Sequence, residues 1–378
     1  MSALTLAVPR LFTGEEWLEN AYVSVQDGWI LDVSDTRPKS HSTLKLPADH
    51  LLVPGFIDAQ VNGGGGVLFN DTPDIPTLKR IAAAHRRFGT TAFLPTLISD
   101  TREKMHAALK TVRKAIGDGL PGIVGLHLEG PFLAPTKHGA HAASAITALT
   151  EVDVAWLSQP FPGTLFLTLA PEEVRDPGFL TALSTAGVVL SAGHSAASYE
   201  QAMAAFDSGI GGVTHLFNAM TPVSARAPGL IGAVLDHPDT WAGIIADAIH
   251  VHPANLRLAL RLLGPKRLLL VTDAMPPVGS DLTRFSLGGQ QVEVRDGRCL
   301  NESGGLAGSA LDMASAVRTV VSQVGASLSD ALRMASTTPA ERLRLEDRGR
   351  IAPGFRADMV ALTLDLKAAR VWIGGQEA

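Results

Sequence analysis

Apolar and polar residues follow two periodicities in the middle of the chain. Short, continuous apolar runs alternate with segments whose apolar residues recur every three or four positions, which is typical of strands alternating with amphipathic helices. The runs predict eight strands, at 51–57, 91–97, 123–128, 165–169, 188–192, 212–216, 242–246 and 267–272. The clearest helical patterns lie at 77–88, 102–116, 199–206 and 253–263. This order predicts an α/β fold, a (β/α)8 TIM-like barrel, with an open doubly wound sheet as the alternative.

The two ends of the chain have a different pattern. Residues 21–25 alternate apolar and polar side chains before an Asp27-Gly28 turn signal, and similar strand patterns occur at 358–362 and 370–373. Because chain termini often lie close together, we predict a small, discontinuous β-sandwich domain from 1–52 and 345–378. The barrel domain then spans 53–344, with a hairpin near 285–294 and helices at 311–324 and 328–335 after the eighth strand.

Composition narrows the classes of function. The chain has 378 residues, 46% of them hydrophobic, and a formal net charge of -5 without a basic stripe, so neither nucleic acid nor an anionic membrane is an expected partner. Cys299 is the single cysteine, which excludes an intramolecular disulfide and a multi-cysteine zinc site. No signal peptide pattern or long apolar helix is visible, and we expect a cytoplasmic protein.

Polar residues follow most of the predicted strands, and the carboxyl ends of barrel strands are where such folds carry their chemistry. They are Asp58, Gln60 and Asn62 after strand one, Glu129 after strand three, His194 after strand five, His215 after strand six, Asp247 and His250 after strand seven, and Asp273 after strand eight. Each alone is readily explained as a structural histidine, a helix cap or a turn residue. Together they favour a metal site, because a barrel brings them to one rim.

Two histidines and one carboxylate would leave an open coordination position, as catalytic zinc sites require. A divalent metal lowers the pKa of water and polarises a carbonyl, and a further carboxylate can move the proton. Such a set is suited to amide hydrolysis at neutral pH.

Several motifs resemble a known family. Residues 54–58 (PGFID) resemble the first-strand signature of the amidohydrolase superfamily, and 349–358 resembles its closing strands. Six further segments, in order, resemble the N-acetylglucosamine-6-phosphate deacetylases within it: HLEGPF (127–132), GHS (193–195), THLFNAM (214–220), ADAIHVHP (246–253), VTDAM (271–275) and LAGS (306–309). The likeness runs from about residue 50 to the C-terminus.

The resemblance implies specific roles. It implies metal ligation by Glu129, His194 and His215, Asp273 as general base and then acid, and His141 near the acetamide. It implies Arg226 as the phosphate ligand and further substrate contacts from Ala140, Asn218, Ala219, Asp247, His250, Leu306, Ala307 and Gly308. The implied reaction converts N-acetylglucosamine 6-phosphate to glucosamine 6-phosphate and acetate in amino-sugar catabolism, carried out by a homodimer.

The sequence departs from the wider superfamily at two places. Gln60 and Asn62 stand where many members have His-x-His, and Leu169 leads into Ala170-Pro171-Glu172 without the carboxylated lysine of strand four. Amides are poor ligands for zinc-like metals, so we predict one divalent metal and regard Gln60 and Asn62 as remnants of a second site. Zinc suits the ligands, with iron, cobalt or manganese as alternatives. Two other functions stay open, namely N-acetylgalactosamine-6-phosphate deacetylase and a metal-free barrel that only binds.

Overall fold

A computed structural model describes residues 3–38 and 42–378, and its centre is a sheet of eight parallel strands in chain order. The strands are Phe56–Val61, Thr90–Ile98, Gly125–Glu129, Thr164–Leu169, Val189–Ala192, Ile210–Val213, Trp241–Ile245 and Leu268–Val271. Nearly every residue in them is buried, as expected of a parallel sheet covered on its outer face by helices. The predicted (β/α)8 barrel is confirmed.

Helices cover the outside of this barrel. They are Ile75–Arg86, Arg102–Gly117, Glu151–Leu157, Gly178–Thr185, Tyr199–Asp207, Gly229–Asp236, Pro253–Leu263, Met313–Thr319, Leu328–Ala335 and Thr337–Arg342. Short 3-10 turns occur at Pro135–Lys137, Ala143–Ala145 and Pro171–Glu173, and a π turn at Val320–Val324 extends the helix before it. Within the described part of the chain, no helix is long and apolar enough to cross a membrane.

The seam between strands one and eight is closed in part by a side chain. Asp58, inside strand one, accepts hydrogen bonds at 3.2 Å from the Thr272 backbone N–H and at 2.5 Å from the Thr272 hydroxyl. The Asp273 backbone N–H donates to the Gln60 carbonyl at 3.0 Å. The first and eighth strands therefore reach the same point at the carboxyl rim.

A second eight-stranded sheet joins the two ends of the chain. Its strands are Ala3–Phe12, Trp17–Gln26, Trp29–Ser34, Thr43–Lys45, His50–Pro54, Met359–Thr363, Ala368–Ile373 and Gln376–Glu377. The pairing of His50–Pro54 with Met359–Thr363 confirms that both ends build one β unit. Its exact boundaries stay a prediction, and residues 1–2 and 39–41 of the predicted unit lie outside the described residues.

One predicted strand is wrong. Residues 51–57 do not form a single strand, because Pro54 ends a strand of the terminal sheet and Phe56 begins the barrel. Gly55 marks the break, where a Cβ atom would lie 2.1 Å from the Thr91 hydroxyl. Only glycine lets the chain pass this close to strand two while it changes sheets.

A small antiparallel sheet follows the eighth strand, as the hairpin pattern predicts. Its strands are Arg284–Leu287, Gln290–Arg295, Arg298–Asn301 and Leu306–Ser309. A two-stranded ribbon, Gly63–Gly64 with Val67–Leu68, lies after strand one. Leu287 and Met275 pack in one apolar cluster with Leu68, so the excursion is fixed over the carboxyl rim of the barrel.

Candidate active site

A cavity of about 170 Å³ opens at the carboxyl rim of the barrel. Its wall combines residues from the ends of six strands with the 139–141 loop and the small antiparallel sheet. It is lined by Ile98, Glu129, Gly139, Ala140, His141, His194, His215, Asn218, Ala219, Ile245, His250, Asp273, Met275, Leu287, Leu306 and Gly308. Most of the residues that the sequence predicts for the site therefore share one cavity.

Three atoms of the kinds that bind metals in proteins converge in this cavity. The Glu129 Oε1 atom lies 3.2 Å from His194 Nε2 and 2.9 Å from His215 Nε2, and the two Nε2 atoms are 3.0 Å apart. All three side chains are buried. Ligands about 2.0–2.1 Å from one tetrahedral zinc ion would be separated by about 3.3 Å, so the spacing fits a single cation.

Local backbone geometry brings the two imidazoles together. His194 and His215 each lie two residues beyond a strand and have positive φ values, 48° and 36°. Such left-handed residues turn the chain sharply as it leaves the strand. The His194 Nδ1–H donates to the Lys137 carbonyl at 2.8 Å, so Nε2 is the ring nitrogen that faces Glu129.

Glu129 and His215 change each other's pKa values. Burial favours the neutral form of Glu129, but hydrogen bonds from His194 and His215 outweigh it and hold the pKa of this carboxyl well below its usual value. Burial lowers the pKa of His215, but the hydrogen bond to Glu129 and the negative charges of Glu129 and Asp273 together outweigh it, so the pKa is raised. The site therefore keeps Glu129 as an anion and favours positive charge next to it. A bound cation would supply that positive charge.

His141 lies beside this cluster but differs in its hydrogen bonding. Atoms of Glu129, His141 and His194 also lie within 4.8 Å of one another, so they form a second, looser set of metal-ligating groups. However, His141 Nδ1 accepts a hydrogen bond from the Ser99 backbone N–H at 3.1 Å. Burial lowers the pKa of His141 to about 3, so the ring is neutral and its proton is on Nε2. His141 is thus suited to donate a hydrogen bond to a carbonyl oxygen, and His215 is the better ligand.

Asp273 lies two residues beyond strand eight and lines the same cavity as the histidines. Its Oδ1 accepts hydrogen bonds from Gln60 Nε2 at 3.1 Å and from Asn62 Nδ2 at 2.7 Å. Burial, together with the nearby charge of Glu129, raises the pKa of Asp273 to about 6. A carboxylate with this pKa is well matched to proton transfer near neutral pH.

The two amides of strand one thus orient the carboxylates. Gln60 Nε2 also donates to Glu129 Oε1 at 3.0 Å, so one amide contacts both acidic side chains. The sequence predicts Gln60 and Asn62 as remnants of a second metal site. Their observed contacts are those of hydrogen-bond donors, since both donate to Asp273.

Three residues predicted to bind substrate do not line the cavity. Asp247 instead binds His250, because Asp247 Oδ2 lies 2.6 Å from His250 Nδ1. This contact directs the other ring nitrogen of His250, Nε2, towards the cavity. Ala307 is buried behind the wall. Arg226 is exposed in the 221–228 loop, outside the cavity of this chain.

Other residues that line the cavity were not predicted. Ile98 and Ile245 are the last residues of strands two and seven, and Met275 and Leu287 close the wall beside the small sheet. All four are apolar. The strand ends that carry Ile98 and Ile245 were readable from the sequence, but apolar side chains give no chemical signal of a site.

Comparisons with known proteins agree with this geometry. The amidohydrolase family model matches residues 51–378. The chain belongs to the amidohydrolase family. A relative from Shewanella sp. (strain ANA-3), an N-acetylgalactosamine-6-phosphate deacetylase, is 42% identical over 97% of this chain and 94% of its own length. The N-acetylglucosamine-6-phosphate deacetylase of Vibrio furnissii is 33% identical over 97% of this chain and 93% of its own.

A solved structure of an N-acetylglucosamine-6-phosphate deacetylase has the same fold as this amidohydrolase. The crystal structure of N-acetylglucosamine-6-phosphate deacetylase from Pasteurella multocida superposes with a TM-score of 0.96 and 32% identity, covering 100% of both chains. The agreement includes the sheet built from both chain ends as well as the barrel.

Proposed function

We propose that this amidohydrolase hydrolyses the acetamide of N-acetylglucosamine 6-phosphate to glucosamine 6-phosphate and acetate. The observation that carries the proposal is the meeting of Glu129, His194 and His215 in one cavity with Asp273 and His141. Amide hydrolysis needs an activated water, a stabilised oxyanion and a proton for the leaving amine. The cavity offers a group for each of these tasks.

Glu129, His194 and His215 would hold one divalent metal. When bound, such a cation lowers the pKa of water and polarises a carbonyl. We propose zinc, which the one-carboxylate, two-imidazole set suits, with iron, cobalt and manganese as alternatives. Elemental analysis of the purified protein distinguishes these metals, and it also tests the alternative of a metal-free barrel that only binds.

Side chains of this protein would carry out the proton transfers and stabilise the developing negative charge. Asp273 accepts a proton from the attacking water as its oxygen bonds to the acetyl carbon. His141 Nε2–H donates a hydrogen bond to the carbonyl oxygen as negative charge develops there. Asp273 then returns the proton to the amine nitrogen as the C–N bond breaks, which releases acetate and the free amine.

The phosphate needs a cation, and among the described residues that line the cavity there is no lysine or arginine. We assign phosphate binding to Arg226, whose planar guanidinium can bind two oxygens at once. His250 Nε2 and the Asn218–Ala219 segment would contact the sugar. Binding energy at the phosphate would orient the amide for attack. A homodimer and a cytoplasmic location stay predictions.

A second candidate substrate is N-acetylgalactosamine 6-phosphate, which differs from the first in the configuration of one hydroxyl group. The 42% identity to the Shewanella enzyme favours it. Amine release from N-acetylglucosamine and N-acetylgalactosamine, each with and without 6-phosphate, tests both. We expect the highest kcat/KM with N-acetylglucosamine 6-phosphate. A preference for the galacto sugar would select the second candidate, and no amine release from any of the four would contradict deacetylation.

A further inference from the structure

The fourth strand contributes nothing to the wall of the cavity, yet an acidic residue, Glu172, comes three positions after its end. Thr164–Leu169 leads through Ala170 into the short turn Pro171–Glu173. Neither the strand nor the turn is among the lining residues. Glu172, in this turn, is half-buried, whereas its neighbour Glu173 is exposed.

The Glu172 carboxylate binds the turn that follows His194. Its Oε2 accepts a hydrogen bond from the Ser195 hydroxyl at 2.7 Å, and its Oε1 accepts one from the Ala196 backbone N–H. Ser195 is completely buried. Both carboxylate oxygens are therefore used on the two residues that come directly after a metal-ligating histidine.

This turn needs support, because His194 has a left-handed backbone conformation with φ at 48°. A residue other than glycine seldom adopts this conformation unless its surroundings hold it. The Ala134 backbone N–H donates to the His194 carbonyl at 3.0 Å, and the His194 ring is held by Lys137. Glu172 supplies the support on the C-terminal side of the histidine.

The same contact reaches the second histidine. The Ser195 backbone N–H donates to the Ala219 carbonyl at 3.1 Å, and Ser195 forms a β-bridge with Met220. Ala219 and Met220 belong to the loop that follows His215. A carboxylate that fixes Ser195 thus ties together the loops of both imidazoles.

We propose that Glu172 is a positioning residue that sets the orientation of His194, and through Ser195 the spacing of His194 and His215, for metal binding. The inference rests on the metal site of the proposed function. Groups that orient metal ligands change metal affinity or activity by about 10- to 100-fold when they are replaced. Glu172 touches neither substrate nor reacting atoms, so metal affinity is the property it should control.

The test compares zinc dissociation constants of wild-type protein, E172Q and E173Q by competition with a chelator. E172Q keeps the shape of the side chain but replaces one acceptor oxygen by an NH2 group, and E173Q removes the same charge at the exposed neighbouring position. We expect E172Q to bind zinc about 10-fold or more weakly, and E173Q to match the wild type. Equal affinity of E172Q and wild type would overturn the assignment.

Two further measurements separate positioning from folding. If Glu172 only stabilised the fold, E172Q would lower the melting temperature of the chelated protein and leave its zinc affinity unchanged. If E172Q does not fold, the same measurement is made on S195A, which removes the hydroxyl donor to Glu172 and keeps the Ala196 N–H. Weaker zinc binding by S195A supports the assignment, and unchanged binding overturns it. Wild-type protein that binds no zinc would overturn the proposed metal site as well.

Discussion

The side-chain amide of Asn62 donates a 2.7 Å hydrogen bond to Oδ1 of Asp273, which lines the same cavity as Glu129, His194 and His215. Gln60 donates to the same oxygen. Both amide hydrogen bonds go to Oδ1. They therefore fix the orientation of the carboxylate, and with it the direction in which Oδ2 points. The end of strand one, which provides no imidazole here, therefore orients Asp273, the proposed general base that follows strand eight.

Replacing Asn62 by alanine should reduce turnover and leave the metal in place. The change removes one hydrogen bond to Asp273 and none to Glu129, His194 or His215, so we expect kcat to fall about 10- to 100-fold with metal content unchanged. Steady-state kinetics and elemental analysis check this. Loss of the metal in N62A would show that Asn62 supports the metal site itself.

Replacing Asp273 by asparagine should reduce turnover more than the Asn62 change does. The amide side chain of D273N can neither accept nor return the proton, and positioned proton transfer contributes about 10²- to 10⁴-fold to rate. We expect a loss of kcat in this range with zinc still bound. Substantial remaining activity at full metal occupancy would rule out Asp273 as the base.

Replacing Arg226 by alanine should impair phosphorylated substrates selectively. Arg226 is exposed outside the cavity, so its loss should leave the reacting groups in place while kcat/KM for the 6-phosphate substrate falls about 10- to 100-fold, or roughly 1.4–2.7 kcal/mol. Arg261, exposed on the helix Pro253–Leu263, provides a control, R261A. An equal loss on unphosphorylated N-acetylglucosamine would argue against a phosphate role.

Gly308 should not tolerate a side chain. It lines the cavity with φ at 64°, and an added Cβ would lie 2.2 Å from the terminal methyl group of Met275. G308A should displace Met275 into the cavity and cost about 1–3 kcal/mol in stability, with a raised KM. Gly304, with φ at 80° and no atom within 4 Å of its added Cβ, is the matched control. Equal melting temperatures and KM values for G308A and G304A would contradict the steric argument.

Asp58 should make stability depend on pH. Burial raises the pKa of Asp58 to about 7, so the folded chain binds a proton that the unfolded chain releases between about pH 4 and pH 7. Stability then falls as pH rises through this window, by at most about 1.4 kcal/mol per pH unit. D58N cannot titrate, so the melting temperature of the wild type relative to D58N should fall between pH 5 and pH 7. A constant difference would contradict the buried, protonated form.

The sequence predicted the barrel, and it predicted which polar side chains meet at the carboxyl rim, for a physical reason. Buried parallel strands must be apolar, so the polar residue that ends each run stands out, as Glu129 and Asp273 do. The prediction of a single strand at 51–57 was wrong because two strands of different sheets follow each other there. Only one residue separates them, so the apolar run is unbroken. No periodicity marks that kind of junction.

Other parts of the site were not readable from the chain alone. The contact between Asp247 and His250 depends on the backbone turn between them, and that between Glu172 and Ser195 joins segments 23 residues apart. Arg226 lies outside the cavity, which motif matching does not reveal. These are properties of three-dimensional placement, which depends on loop conformation more than on residue type.

The closure of the barrel between strands one and eight has a consequence for how the enzyme would lose activity. Gln60 and Asn62 stand on one side of this seam and Asp273 on the other, and Asp58 with Thr272 fastens the two sides directly beneath them. A local opening there would separate the proton acceptor from its amide donors while the other seven strand pairings and the three metal-ligating groups stayed intact. Mild heating or denaturant should therefore inactivate the protein before it unfolds and before it releases its metal.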